Sequence, residues 1–309
     1  MDERGPHRPD GERGKGSEGK RGLLYALGAF GFWGCVPIYF KALAHVPAME
    51  VLAHRVFWSA PVTGALLILS GRLWNLPVTL RQPRTLPTLF VSSCLVLVNW
   101  FTFIFAVERG RILEASLGYY INPLVNVLLG TLFLGENLRR TQLVAVLLAT
   151  AGTGNLLLAT KVVPWVAIVL AMSFGLYGFV RKKLNVDPLE GLFIETAIMA
   201  PFALLYMVWL ASRAEICFGL VDTTTTILLA SAGIVTALPL FWFIRAAKAL
   251  TLSALGIMQY VAPTCQFLLG VFAYGEPLSW HHLVTFGCIW AGIALFTFEA
   301  WREMARSRK

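Results

Sequence analysis

The chain carries ten runs of about twenty apolar residues, and that one feature decides most of what it can fold into. A hydrocarbon core about 30 Å thick is crossed by roughly 20 residues of helix. Runs of that length lie near 22–44, 48–70, 86–107, 113–134, 141–160, 163–181, 189–211, 225–246, 251–274 and 281–300. Between them stand charges or helix breakers: His45-Val46-Pro47, Gly71-Arg72, Gly135-Glu136-Asn137, Asn185-Val186-Asp187-Pro188 and Gly275-Glu276-Pro277. Strands of a transmembrane barrel would alternate apolar and polar with period two over about ten residues. A run such as Leu143-Val144-Ala145-Val146-Leu147-Leu148 does not alternate. The pattern predicts an all-α integral membrane protein with ten transmembrane helices.

Composition supports this and excludes other classes. Hydrophobic residues make up 57% of the 309 and charged residues 14%, against roughly 25% charged in an ordinary soluble domain. Both ends are charge-rich, so the stretch 22–298 holds only 26 charged residues. A soluble surface of that size cannot be covered by so few. Soluble enzymes and nucleic-acid-binding domains are set aside, and nucleic acid is not an expected partner despite the formal charge of +9. The Lys and Arg residues instead sort by side. With ten helices, twenty fall on the side of both termini and five (Lys41, Arg109, Arg111, Lys161, Arg213) on the other, with Arg55 inside a helix. Basic residues mark cytoplasmic loops, so both termini are expected in the cytoplasm of a bacterial cell with an inner membrane.

Residues 1–21 hold six Lys/Arg, five Asp/Glu and no aliphatic residue except Met1. Such a segment cannot bury enough apolar area to offset ordering and reads as a disordered cytoplasmic tail. It lacks the short apolar region and small-residue cleavage site of a secretory signal. Residues 302–309 read as a C-terminal tail. Cys35, Cys94, Cys217, Cys265 and Cys288 are scattered singly through apolar stretches, and no spacing suggests a metal, redox or cofactor site.

The body repeats itself at an offset near 140. Phe30-Gly31-Phe32-Trp33-Gly34 resembles Phe174-Gly175-Leu176-Tyr177-Gly178, Glu50 falls on Glu190, Pro61 on Pro201, and Phe101-Thr102-Phe103-Ile104 on Phe241-Trp242-Phe243-Ile244. The series ends with Leu117-Gly118 through Gly135-Glu136 matching Leu255-Gly256 through Gly275-Glu276. The copies, 22–160 and 161–301, have five helices each. An odd number makes the second copy enter the membrane from the opposite face, so the repeat is inverted. Inverted repeats are the usual plan of secondary transporters, with substrate near the midplane between the halves.

Two five-helix halves of this length, each closing with an apolar helix and Gly-Glu, resemble the EamA domains of the drug/metabolite transporter superfamily. Three stretches, Glu50–Ser59 (EVLAHRVFWS), Leu113–Leu124 (LEASLGYYINPL) and Tyr177–Lys183 (YGFVRKK), with Gln259-Tyr260 before Pro263, resemble the RarD subfamily. The resemblance covers about 22–298. It implies a bacterial inner-membrane permease that moves small metabolites or drugs, most simply outward. The long charged N-terminus departs from the short ones of that subfamily.

Ionisable groups inside a span cost several kcal/mol on model scales and usually face a cavity or a partner. They are His54 and Arg55 in helix 2, Glu114 opening helix 4, Glu195 in helix 7 and Arg245 closing helix 8, with Lys248 just after. Arg55 and Glu195 occupy equivalent repeat positions but opposite depths, each about 10 Å in from its own helix start. Depth instead matches Arg55 with Glu114, and Glu195 with Arg245 or Lys248, as two charge pairs flanking a central site, which either gate it or couple it to protons or only orient the helices. His54 is the side-chain type with an unperturbed pKa nearest neutral among these, and it reads equally as a satisfied packing histidine. A second set, Trp33, Tyr119, Tyr120, Asn122, Gln259 and Tyr260, supplies aromatic and amide groups on helices 1, 4 and 9, near Pro123 and Pro263, which free backbone carbonyls. Such a lining suits amphipathic or aromatic substrates, cations included. The expected partners are thus a small-molecule substrate, the lipid bilayer and, as a candidate coupling ion, the proton.

The rival readings are a membrane enzyme or a channel. An enzyme wants a clustered nucleophile, metal ligands or paired carboxylates, and the adjacent His281 and His282 have no carboxylate motif beside them. No GxxxxGK[ST] motif for a pump is present, and a channel does not require an inverted repeat.

Overall fold

The computed structural model describes residues 10–134, 140–161, 163–182, 184–249 and 258–306. Among the described residues all regular structure is helical. The long helices are α1 (Asp10–Ala42), α2 (Ala48–Leu69), α3 (Thr85–Glu108), α4 (Ile112–Leu134), α5 (Arg140–Thr160), α6 (Trp165–Lys182), α7 (Pro188–Ser212) and α8 (Thr223–Ala249). Then come α9 (Val261–Leu268), which runs on as a π-helical turn over Leu269–Ala273, and α10 (Trp280–Arg306). Between α2 and α3 the chain forms a 3₁₀ turn, Leu73–Asn75, and a short helix, Leu76–Arg81.

Every apolar run overlaps one of these helices. Among the described residues, five helices are long and apolar enough to cross a membrane: Arg21–Ala42, Ala48–Leu69, Thr85–Glu108, Pro188–Ser212 and Thr223–Ala246. Two shorter apolar helices are Trp165–Arg181 and Val261–Ala273. Large apolar side chains such as Leu132, Leu158, Phe202, Leu205 and Phe272 point outward as well as in. A helix that is apolar all round belongs in a core or in lipid. Gly71 and Gly275, at two of the predicted breaks, take positive φ (68° and 62°), the conformation that ends a helix at least cost in glycine.

α1 corrects one expectation. It starts at Asp10, so residues 10–21, read from composition as a disordered tail, continue the helix. Glu, Lys and Arg are adequate helix formers, and extending an existing helix needs no new nucleus.

The packing partners of the first five helices reappear in the second five. α1 packs on α8 and α9, while α6 packs on α3 and α4; α2 packs on α8, while α7 packs on α3. Exchanging the halves turns each of these pairs into another, and α2·α7, α4·α9 and α5·α10 map onto themselves. Small residues set the closest approaches, as between helices in lipid. A Cβ on Gly233 of α8 would collide with the Trp58 carbonyl of α2, and one on Gly118 of α4 would stand 2.8 Å from the Ala167 carbonyl oxygen of α6.

Carboxylates close the two ends of this bundle. At one end Glu50 Oε1 accepts from the backbone N–H groups of Cys217 (2.7 Å) and Phe218 (3.3 Å), in the connection between α7 and α8. There too Glu276 accepts from the N–H groups of Ile112 (2.6 Å) and Leu113 (2.8 Å), which open α4. At the other, basic end, which carries Arg72, Arg81, Arg84 and Arg181, Glu190 accepts from Thr79 Oγ1 (2.8 Å) and Asn75 Nδ2 (3.3 Å). Arg72 forms an ion pair with Asp187 beside it.

Candidate functional site

Two buried charged clusters lie between the ends. The first is built on Glu195, two turns into α7. Its Oε1 accepts from Ser92 Oγ of α3 at 2.5 Å and lies 3.7 Å from Arg181 Nε of α6; its Oε2 accepts from Tyr177 OH of α6 at 3.2 Å. Arg181 reaches inward because Gly191 has no side chain: a Cβ there would overlap the guanidinium. Arg181 Nη2 also donates to the Pro188 carbonyl at 3.5 Å, whereas Nη1 is buried with no partner among the described residues. Glu195 lines a small pocket between α2, α3 and α7, with Val56, Ser93, Leu97, Trp100 and Thr196 among its walls. The carboxyl group is thus flanked by two hydroxyls and one cation, with its polar atoms turned to these partners.

The second cluster is built on Arg55, two turns into α2. Its Nε donates to Thr236 Oγ1 of α8 at 3.0 Å. Its guanidinium lies over Trp100 of α3, 4.1 Å from the ring centroid, and 5.5 Å from the centroid of Phe40 in α1. Among the described residues no carboxylate lies within ion-pair distance of it. Trp100 therefore joins the clusters, since it carries Arg55 and also lines the Glu195 pocket. Nearby, Tyr119 OH donates to Asn99 Oδ1 (3.2 Å), and Asn99 Nδ2 donates to the Leu170 carbonyl (3.0 Å) and to Ser173 Oγ (3.1 Å), tying α3, α4 and α6 together.

The charge pairs drawn from depth are not the pairs the structure forms. Glu114 is held by Arg111 Nε at 2.8 Å, three residues before it, and by the Val166 N–H at the start of α6 at 2.9 Å, and does not reach Arg55. Glu195 takes Arg181. Arg245 is exposed and stacks on Phe241 of its own helix, 5.2 Å from the ring centroid. The side chain of Lys248 lies outside the described residues. Depth along an axis fixes the level of a side chain but not its azimuth, and azimuth decides these pairings.

The aromatic and amide candidates also divide. Tyr119 stays near the Arg55 cluster. Tyr120 binds Thr264 Oγ1 through its hydroxyl (2.6 Å) and packs with Tyr260, Phe286 and Trp290, filling the junction of α4, α9 and α10. Asn122 Nδ2 donates to the Ala171 carbonyl at 3.1 Å and ties α4 to α6. Trp33 packs against Phe30 and Phe243, and its carbonyl accepts from Gln266 Nε2 at 3.3 Å. Gln259 sits half-buried in the turn before α9. His54 is fully buried away from the pocket walls: its Nδ1 accepts from Trp58 Nε1 (3.2 Å), its ring stacks on Phe218, and its Nε2 is 4.0 Å from Glu50 Oε1.

Sequence reasoning passed over Trp100, Thr236, Asn99, Ser92, Tyr177 and Arg181. Arg181 stands in a basic run that reads as a topology signal, and the uncharged residues are invisible to a search for ionisable groups. Asn99, a lone amide in the middle of an apolar run, was the available clue.

The comparisons agree with this architecture. The family model described as "EamA-like transporter family" matches twice, over residues 20–158 and 162–298. The chain is 46% identical to an "Uncharacterized transporter" of Vibrio cholerae over 94% of this chain and 97% of that protein. It is 43% identical to "Protein RarD" of Escherichia coli (strain K12) over 94% of this chain and 98% of that one. One crystal structure aligns with 90% of this chain and 98% of its own at a TM-score of 0.60 and 22% identity, a likeness of fold alone. These names indicate a transporter rather than an enzyme, and family and apolar helices together make it a multi-pass membrane protein. The chain belongs to the EamA-like transporter family and, within it, to the RarD subfamily.

Proposed function

We propose that this chain is a secondary-active permease of the bacterial inner membrane. Ten spans form two inverted five-helix halves, 22–160 and 161–301, with both termini cytoplasmic, and small metabolites or amphipathic drugs pass outward by alternating access. The observation that carries this reading is the position of the Glu195 pocket. Its walls come from α2 and α3 of one half and α7 of the other, the interface at which inverted-repeat transporters bind substrate. The double family match and the exchange symmetry of the packing support two equivalent halves. The excess of Lys and Arg at the basic end supports a cytoplasmic placement of that end.

The two ends then act as alternate gates. Opening the basic end requires parting Glu190 from Thr79 and Asn75, and Arg72 from Asp187. Opening the opposite end requires parting Glu50 from the Cys217–Phe218 backbone. Glu195 is the proton-coupling carboxyl and Arg181 its counter-ion. Proteoliposomes holding the purified protein test this: solute movement coupled to an imposed pH gradient is expected, and Glu195→Gln is expected to abolish the pH dependence while sparing exchange of solute for solute. Absence of movement of any solute by well-inserted protein would contradict the proposal.

A further inference from the structure

We infer that Arg55 recognises the carboxylate of the transported solute, so that the substrates are small organic anions with an apolar or aromatic body. This rests on the transport reading above and names the class of solute. Inside a lipid-embedded bundle an arginine needs an anion, a set of carbonyls or water. Among the described residues Arg55 has one hydrogen bond, Nε to Thr236 Oγ1, and the rings of Trp100 and Phe40. Among the described residues neither of its Nη groups donates to a protein acceptor, and the side chain is mostly buried but not sealed off.

The carboxylates around it are committed elsewhere. Glu114 holds Arg111 and the Val166 N–H, Glu195 holds Ser92, Tyr177 and Arg181, and Glu50 holds the Cys217 and Phe218 N–H groups. Arg55 is thus a fork with both outer tines free, which matches a carboxylate with two parallel hydrogen bonds. The rings that hold the guanidinium present apolar surface to the body of such a solute. They do not form a cage for a cationic drug, because their cation is already in place and would repel a second.

The test offers proteoliposomes a pool of carboxylates (benzoate, phenylalanine, indole-3-acetate, 2-oxoisovalerate) and a matched pool of neutral and cationic solutes (benzamide, benzamidinium, benzylamine). Accumulation is read by mass spectrometry for wild type, Arg55→Gln and Arg55→Lys. Carboxylate uptake is expected in wild type, with KM raised at least about tenfold in Arg55→Gln, as for loss of a hydrogen-bonded charge. Arg55→Lys should fall between, because it keeps the charge and loses the fork. A second readout is thermal stabilisation of the detergent-solubilised wild type by benzoate but not by benzamide, which needs no variant to fold. Uptake confined to the neutral and cationic pool, or an unchanged carboxylate KM in Arg55→Gln, overturns the inference and leaves the transport reading standing. No uptake from either pool by inserted protein overturns the transport reading, and the inference falls with it.

Discussion

Glu50 and Glu190 hold equivalent places, the third residue of α2 and of α7, and each reaches into the other half of the chain. Glu50 binds the connection between α7 and α8, and Glu190 binds the connection between α2 and α3. Each half is therefore latched by a carboxylate of its counterpart, at opposite ends of the bundle. The partners differ: backbone N–H groups at one latch, side-chain hydroxyl and amide groups at the other. In the proposed alternating-access reading the two ends close by equivalent contacts and open in turn, and this pair supplies one such contact per end.

Removing either latch should cost stability and bias the open state of its own end. Glu50→Ala and Glu190→Ala are each expected to cost about 1.5–3 kcal/mol, the usual worth of hydrogen bonds to a charged group. Thermal unfolding in detergent checks the size of the loss. Thiol labelling should find Cys217 more reactive in Glu50→Ala than in wild type, and unchanged in Glu190→Ala.

Helix contact in this bundle depends on missing side chains. Gly233→Ala forces a methyl group onto the Trp58 carbonyl of α2, with no flexible group to yield. A loss of about 1–3 kcal/mol is expected for such overpacking. Gly31→Ala meets nothing within 4 Å and serves as the control, which should unfold at or above the wild-type temperature.

Gly191→Ala acts differently, because the group it displaces is the flexible tip of Arg181. The ion pair with Glu195 should part, and the pH dependence of transport should change. In the background of Glu195→Gln the same substitution should add little, since the residues act as one unit. Additive losses in the double variant would separate Arg181 from Glu195 function.

Asp222 sets a pH dependence outside the spans. Hydrogen bonds from the Thr225 hydroxyl and N–H at the start of α8 hold its pKa below the ordinary aspartate value. A depressed carboxyl contributes stability above its unfolded pKa and loses it as pH falls through the folded one. Asp222→Ala should therefore unfold at a lower temperature than wild type near neutral pH, and the difference should vanish in acid below the folded value.

The helices were legible because bilayer thickness fixes the length of an apolar run, and the breaks between runs carry their own residues. Which residues meet was much less legible. Arg55, Glu114, Glu195 and Arg245 stand out in any scan for charge, yet Glu114 binds Arg111 three residues away and Glu195 binds an arginine from the preceding helix. Tyr119 and Tyr120 are adjacent in sequence and part company in space, one beside Asn99 and the other in the packing of α9 and α10. Composition puts both in a lining; only the rotation of α4 separates them.

In the proposed cycle the Glu195 pocket is reached from both membrane faces in turn. Leu97, in the pocket wall, is replaced by cysteine in a protein freed of Cys35, Cys94, Cys217, Cys265 and Cys288. A membrane-impermeant thiol reagent is then applied to right-side-out and to inside-out vesicles, with ion conductance monitored. The account predicts modification from each face and no continuous conductance. Modification from one face alone under all conditions, or a steady conductance with modification from both, would contradict it.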